Sequence, residues 1–170
     1  MGEELILRKF ISVLLLVFMI ASVFASCGFS VPSPEIESGE FDFSVTYELN
    51  GVKKTISGVY VCEYNGTDWA LDGGFSRDWI GYFKDDQLDD PITIGTTKDG
   101  EEMSLSFGFY PEYFMDDFIE GVDEIPIPEI SVTHVDEGIW FEFDADVIEE
   151  NYGAKIISYQ YDESIKNTFK

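Results

Sequence analysis

Hydrophobic and polar positions alternate with a period of two along much of this chain. Phe41, Phe43, Val45, Tyr47 and Leu49 alternate with Asp42, Ser44, Thr46 and Glu48. Successive strand side chains point to opposite faces, so this run predicts a half-buried strand over 41–49. Asn50-Gly51 follows at once. Both residue types accept the positive φ of a two-residue hairpin turn, which sends the chain back through a strand predicted over 52–64 with an interruption near Gly58. Asn65-Gly66 predicts the next turn. Further strands are predicted over 68–71, 78–84, 91–96, 102–109, 129–135, 139–146 and 154–161. Within them Met103, Leu105, Phe107 and Phe109 form one apolar face, and Ile139, Phe141, Phe143 and Ala145 another. Tyr110 to Ile119 and Asp146 to Tyr152 fit short helices, and the least regular stretch is 110–128, with Pro111, Pro126 and Pro128. No internal repeat is visible. The pattern predicts one mainly β domain over 41–170, a single antiparallel β-sandwich or partly open barrel with one or two short helices.

The first 26 residues read as an address. Arg8 and Lys9 precede the apolar run at 10–21, and small residues follow to Ser26, the layout of a secretory signal. Phe24-Ala25-Ser26-Cys27 has the form of a bacterial lipobox: a bulky apolar residue, two small ones, then cysteine. The small residues leave the backbone uncrowded for a peptidase, and the Cys27 thiol is the group that would take the lipid. An uncleaved anchor is the competing reading, but Phe10 to Ala25 gives 16 uncharged residues, short of the roughly 20 that a spanning helix needs. Plain secretion would leave Cys27 as an exposed thiol. The expected location is the extracytoplasmic face of the bacterial cell membrane, with a lipid anchor at Cys27. Residues 27–40, with Pro32 and Pro34, then form a flexible tether.

Composition narrows the function classes. The 170 residues include 34 Asp plus Glu, 10 Lys plus Arg and one His, for a net charge of −24. A disordered acidic tail would be poor in apolar and aromatic residues, yet these make up 45% and 16% of the chain, so a packed core is expected. The acidity excludes the basic surface that nucleic-acid backbones require. Residues 85–150 hold 21 acids and one base, Lys98, a face that anionic lipid repels and that favours a domain pointing outward. Two cysteines and one histidine exclude zinc fingers and multi-disulfide scaffolds. Cys62, in the strand-like run Val59-Tyr60-Val61-Cys62 and next to Glu63, reads as a small buried hydrophobe. A reactive thiol would want a basic neighbour.

Candidate chemistry is sparse. His134 has Asp136 two residues on, hence on the same strand face, but no nucleophile elbow or catalytic-cysteine context accompanies it. Paired carboxylates of the glycosidase kind have no distinguishing spacing among so many acids. Asp85, Asp86, Asp89 and Asp90 cluster in one loop, and Asp116, Asp117, Glu120, Asp123 and Glu124 in another. Hard oxygen ligands are what calcium uses, although neither cluster has the EF-hand spacing. A third acidic set, Glu142, Asp144 and Asp146, is predicted as a ladder on one strand face together with Trp140. Calcium is therefore the one cofactor to consider, chiefly at Asp85, Asp86, Asp89 and Asp90 or at Glu142, Asp144 and Asp146, against solvated acidic surface. Trp69, Trp79 and Trp140 offer either core filling or a flat surface for a sugar or peptide.

Three segments carry a resemblance. Thr46-Tyr47-Glu48-Leu49-Asn50-Gly51, Val61-Cys62-Glu63-Tyr64-Asn65-Gly66 and the tail from Lys155 to Ser158 and from Ser164 to Lys170 resemble a family of small lipoproteins from Firmicutes, mainly clostridia. The likeness covers most of 41–66 and 147–170, and in the middle chiefly Glu112 to Met115. It implies a lipid-anchored, single-domain plan with Cys62 as a family feature, and it assigns no activity and no catalytic residues. The expected function is a non-enzymatic binding or envelope-associated module with a cell-wall, sugar or protein partner. The alternative is a small extracytoplasmic hydrolase using carboxylates. A solute-binding component of an importer is disfavoured by size, because such proteins close two lobes around a cleft.

Overall fold

The computed structural model describes residues 31–69, 75–117, 126–135 and 139–170, apart from the side chain of Trp69. The predicted signal segment, Cys27, the acids Glu120, Asp123 and Glu124, and Asp136 lie outside the described residues. The strands are β1 (Ser38–Leu49), β2 (Val52–Trp69), β3 (Phe75–Phe83), β4 (Ile92–Thr96), β5 (Glu102–Ser106), β6 (Glu129–His134), β7 (Trp140–Glu142) and β8 (Ala154–Tyr161). The helices are α1 (Pro111–Phe114) and α2 (Ala145–Tyr152). They form the mainly β fold that the period-two runs predict: two four-stranded antiparallel sheets, ordered β3-β2-β1-β8 and β4-β5-β6-β7.

The alternation in β1 becomes burial in a direct way. Phe41, Phe43, Val45 and Tyr47 are all buried, while the residues between them are exposed or half-buried. Leu49 pairs with Val52 across Asn50-Gly51, whose φ values of 52° and 78° are those a tight hairpin turn needs. Facing β1, the second sheet contributes Met103, Leu105, Phe107, Ile130 and Val132. The centre is aromatic. The Phe43 ring lies 5.0 Å from Phe107 and 5.2 Å from Phe109, both edge-on, and Phe109 meets Phe114 and Tyr161 edge-on at 5.4 and 5.0 Å. Such arrangements add to area burial because the positive ring edge meets the negative face. Tyr60 packs into this cluster over Gly81, where a Cβ would sit 1.8 Å from the Tyr60 hydroxyl.

Four predictions are corrected by the tertiary structure. Asn65-Gly66 makes no turn: β2 continues to Trp69, and the register with β3 shifts between Tyr64 and Gly66, a bulge with Gly66 at φ 102°. Gly58 does not break β2 either; it leaves room for Phe43 and Leu88, whose atoms approach its missing Cβ to 3.1 and 2.9 Å. The predicted strand over 139–146 is only Trp140–Glu142, since Asp144 starts α2. From Ser33 onward the predicted tether is part of the domain. Ser33 and Lys170 exchange backbone hydrogen bonds, Glu35 N–H donates to the Thr168 carbonyl, and Asn167 brackets the Ile36 backbone with bonds of 3.0 and 2.8 Å.

Candidate functional site

Among the described residues β8 is the outer strand of its sheet, with β1 as its one neighbour. In the other sheet β7 pairs with β6 across Val132, Thr133 and His134, so among the described residues Glu129 to Ser131 have an open side. Helix α2 packs against both β6 and β8 at one end. Between these elements lies an open groove of about 660 Å³, within the size range of ligand sites. Ile127, Ile130, Phe143, Ile148, Ile156, Ile157 and Tyr159 supply most of its apolar wall. Ile127 and Phe143 are each 56% exposed, Tyr159 44% and Ile157 39%. Phe141, itself half exposed, extends this apolar surface, its ring 6.0 Å from that of Phe143. Single exposed hydrophobes are ordinary, but a contiguous group around a concavity marks an interaction surface.

The local sequence explains why these side chains are uncovered. The Asp144 carboxylate accepts hydrogen bonds from the backbone N–H groups of Asp146 (3.0 Å) and Val147 (3.2 Å), the N-cap role for which aspartate is preferred. The cap ends the strand, so Phe143 lies in the connection before the helix. Gly153 closes α2 with a left-handed φ of 64°, and β8 begins at the next residue. One helix face is apolar inward through the buried Ile148, leaving Asp146 and Glu149 on the groove rim. Glu129 joins them there. Lys155, the one base among the described rim residues, is held by Glu149 at 2.5 Å, and that hydrogen bond shifts the Lys155 ammonium upward from its ordinary range.

The carboxylates singled out in the sequence are dispersed. In the Asp85–Asp90 loop, Asp85 accepts from the Gln87 N–H at 2.9 Å and Asp90 from the Phe107 N–H at 3.1 Å, so the two ends fold the loop and pin it to the second sheet. Asp86, Asp89 and Asp90 border a separate cleft beside Tyr60 and Gly81. The ladder predicted for Glu142, Asp144 and Asp146 does not exist as a ladder: Glu142 ends β7 and accepts from the Asp144 N–H at 2.8 Å, Asp144 caps α2, and Asp146 lies in its first turn. Among the described residues no group of three or more His, Cys, Asp or Glu side chains is arranged to hold a metal ion.

Asp117, expected in the second acidic loop, is instead buried. Its carboxylate accepts from Arg77 Nε (2.7 Å), Arg77 Nη2 (2.5 Å) and Trp79 Nε1 (2.7 Å). Burial alone would push the Asp117 carboxyl up, but the hydrogen bonds from Arg77 and Trp79 and the guanidinium charge outweigh it and hold the group below the usual range. The Arg77 guanidinium also lies 3.9 Å from the Phe169 ring centre, tying the C-terminus to β3. His134 has found a partner that its own strand could not reveal: Nδ1 meets Glu101 Oε1 at 2.6 Å across the sheet. Trp140 stacks on the imidazole at 3.7 Å and 13°, while staying half exposed itself. Nε2 of His134 is buried and meets no partner among the described residues, so it is closed to a substrate. Cys62 is fully buried, as its strand context predicts, and its thiol is pushed up to about 12, first by burial and then by the negative charge of Glu112.

The groove itself was not legible in the sequence. Its one signal was the alternation of Ile139, Phe141 and Phe143, which pointed to a buried face. Comparison with protein families, with curated proteins and with solved structures gives no match.

Proposed function

We propose that the protein is a lipid-anchored binding module on the extracytoplasmic face of a bacterial membrane, of the small-lipoprotein kind that its sequence resembles, and that it takes its partner in the groove between β6, β8 and α2. The anchor is read from the lipobox at Phe24 to Cys27. The observation that carries the binding role is the group of half-exposed Ile127, Phe143, Ile157 and Tyr159 around one concavity. Water covering these side chains would be released by a partner, at roughly 25 cal/mol per Å² of apolar area. The hydrolase alternative is weaker because acids singled out in the sequence are taken up by structural partners: Asp144 caps α2, Asp85 and Asp90 fold their loop, and Asp117 is held by Arg77 and Trp79.

Two arms test the proposal on intact cells. Fatty-acid labelling and membrane retention should be lost in Cys27→Ala; an unlipidated Cys27 in wild-type membrane material sinks the anchor. A photo-crosslinking amino acid at position 143 should form a covalent adduct with a partner, whereas the same group at position 82, on exposed Tyr82 of β3, should not. Absence of any adduct at 143 sinks the groove as the binding site.

A further inference from the structure

The geometry points to the occupant of this groove: an extended peptide segment in which apolar side chains alternate with Lys or Arg, added as a new strand along β8. This inference rests on the groove being the binding site.

The first ground is the backbone. An edge strand presents unpaired N–H and C=O groups on its outer side, and proteins ordinarily protect such edges with charges, proline or a short length. β8 is eight residues long, and Ile156 to Tyr161 contain neither a charge nor a proline. Its one irregularity is a register shift against β1 at Ile157, which leaves Ser158 to Tyr161 regularly paired with Phe43 to Thr46. Its four residues from Ile157 to Gln160 are exposed. A small apolar ligand would cover the side chains and leave these backbone groups without partners. An extended peptide satisfies both, the general mode of strand addition to an open edge.

Charge supplies the second ground. An added strand sends alternate side chains to opposite faces. Those facing the groove meet Phe143, Ile157 and Tyr159 and must be apolar. The same groove is rimmed by Glu129, Asp146 and Glu149, within reach of long side chains on the added strand, with Lys155 already engaged by Glu149. Basic side chains fit that rim. A second copy of this chain does not: each carries a net charge of −24, and residues 156–161 offer no base to the other's rim. Anionic polymers are repelled for the same reason.

The test uses the full chain in a nonionic detergent and fluorescein-labelled ten-residue peptides at physiological salt, read by anisotropy. Alternating Val-Lys should bind at least tenfold more tightly than alternating Val-Glu and than a block peptide of the same Val and Lys content. Methylating alternate backbone nitrogens should weaken binding at least tenfold in one of the two phases, because that phase donates to β8. Phe143→Ser with Ile157→Ser should weaken it by a similar factor, and bound peptide should slow amide exchange in β8. Equal binding of both methylated phases, or of the block peptide, would reduce the effect to charge attraction and overturn strand addition. Dimerisation of the free chain through β8 would overturn it too. If no peptide binds while position 143 still crosslinks in cells, the basic strand is refuted and the groove stands; if both fail, the groove falls as well.

Discussion

Replacing Asp117 should expose how the first sheet, α1 and the two ends of the domain are held together. The carboxylate is 7% exposed and accepts three hydrogen bonds of 2.5–2.7 Å from Arg77 and Trp79. Hydrogen bonds to charged groups contribute about 1.5–3 kcal/mol each, and breaking a buried ion pair costs about 3–5 kcal/mol because the other charge is left behind. Arg77 has some relief: its side chain keeps 19% exposure, it donates to the Pro32 carbonyl at 3.3 Å and it rests on Phe169. The lower end therefore applies, about 3 kcal/mol for Asp117→Ala and about 2 kcal/mol for Asp117→Asn, whose amide oxygen still accepts. In a domain of this size that is a fall of about 6–12 °C in Tm for the alanine variant. The pH dependence has a definite sign. The folded carboxyl titrates below its ordinary range, so its stabilisation is present above the unfolded value of about 3.9 and is lost as pH falls through the lower folded value. Urea unfolding at pH 7 should show the full gap between wild type and Asp117→Asn, and the gap should narrow below about pH 4. Trp79→Phe in a double-mutant cycle should return a coupling above about 1 kcal/mol. A loss under about 1 kcal/mol for Asp117→Ala at pH 7, or a gap that widens in acid, would refute the reasoning.

Three further outcomes follow from single sites. Asp144→Ala should cost about 1 kcal/mol in chemical unfolding and Asp144→Asn only a few tenths, because asparagine caps as well as aspartate; equal losses would show that charge rather than capping matters. The Cys62 thiol, fully buried and pushed up to about 12, should resist iodoacetamide at pH 8 in the native protein and react in urea, with fast native labelling as the contrary result. Gly81→Ala should destabilise by about 1–3 kcal/mol, because its Cβ would lie 1.8 Å from the Tyr60 hydroxyl and 2.7 Å from Pro111; unchanged stability would mean that Tyr60 can move aside freely.

Local physics was readable along the chain. The period-two run at 41–49 became a strand because alternation separates apolar from polar faces, and the run predicted at 154–161 is a strand as well. Asn50-Gly51 became a hairpin turn because both residues accept positive φ. The two short helices were placed near their observed positions, and Cys62 was placed in the core by its neighbours. Other features depended on what lies opposite. Asn65-Gly66 has the same turn chemistry as Asn50-Gly51, yet there β3 pairs on both sides of it, and the strand bulges instead of reversing. Asp117 belongs to an acidic stretch in sequence, but Arg77 and Trp79 come to it from 40 and 38 residues away and turn it into a buried anchor. His134 pairs with Glu101, 33 residues away in sequence and just before the neighbouring strand β5. Phe141 and Phe143 have the alternation of a core face and are half exposed, because β7 stops after three residues and nothing among the described residues covers them. Periodicity decides which side chains share a face; only the packing of distant strands decides whether that face meets a core, a charge or the open groove beside β8.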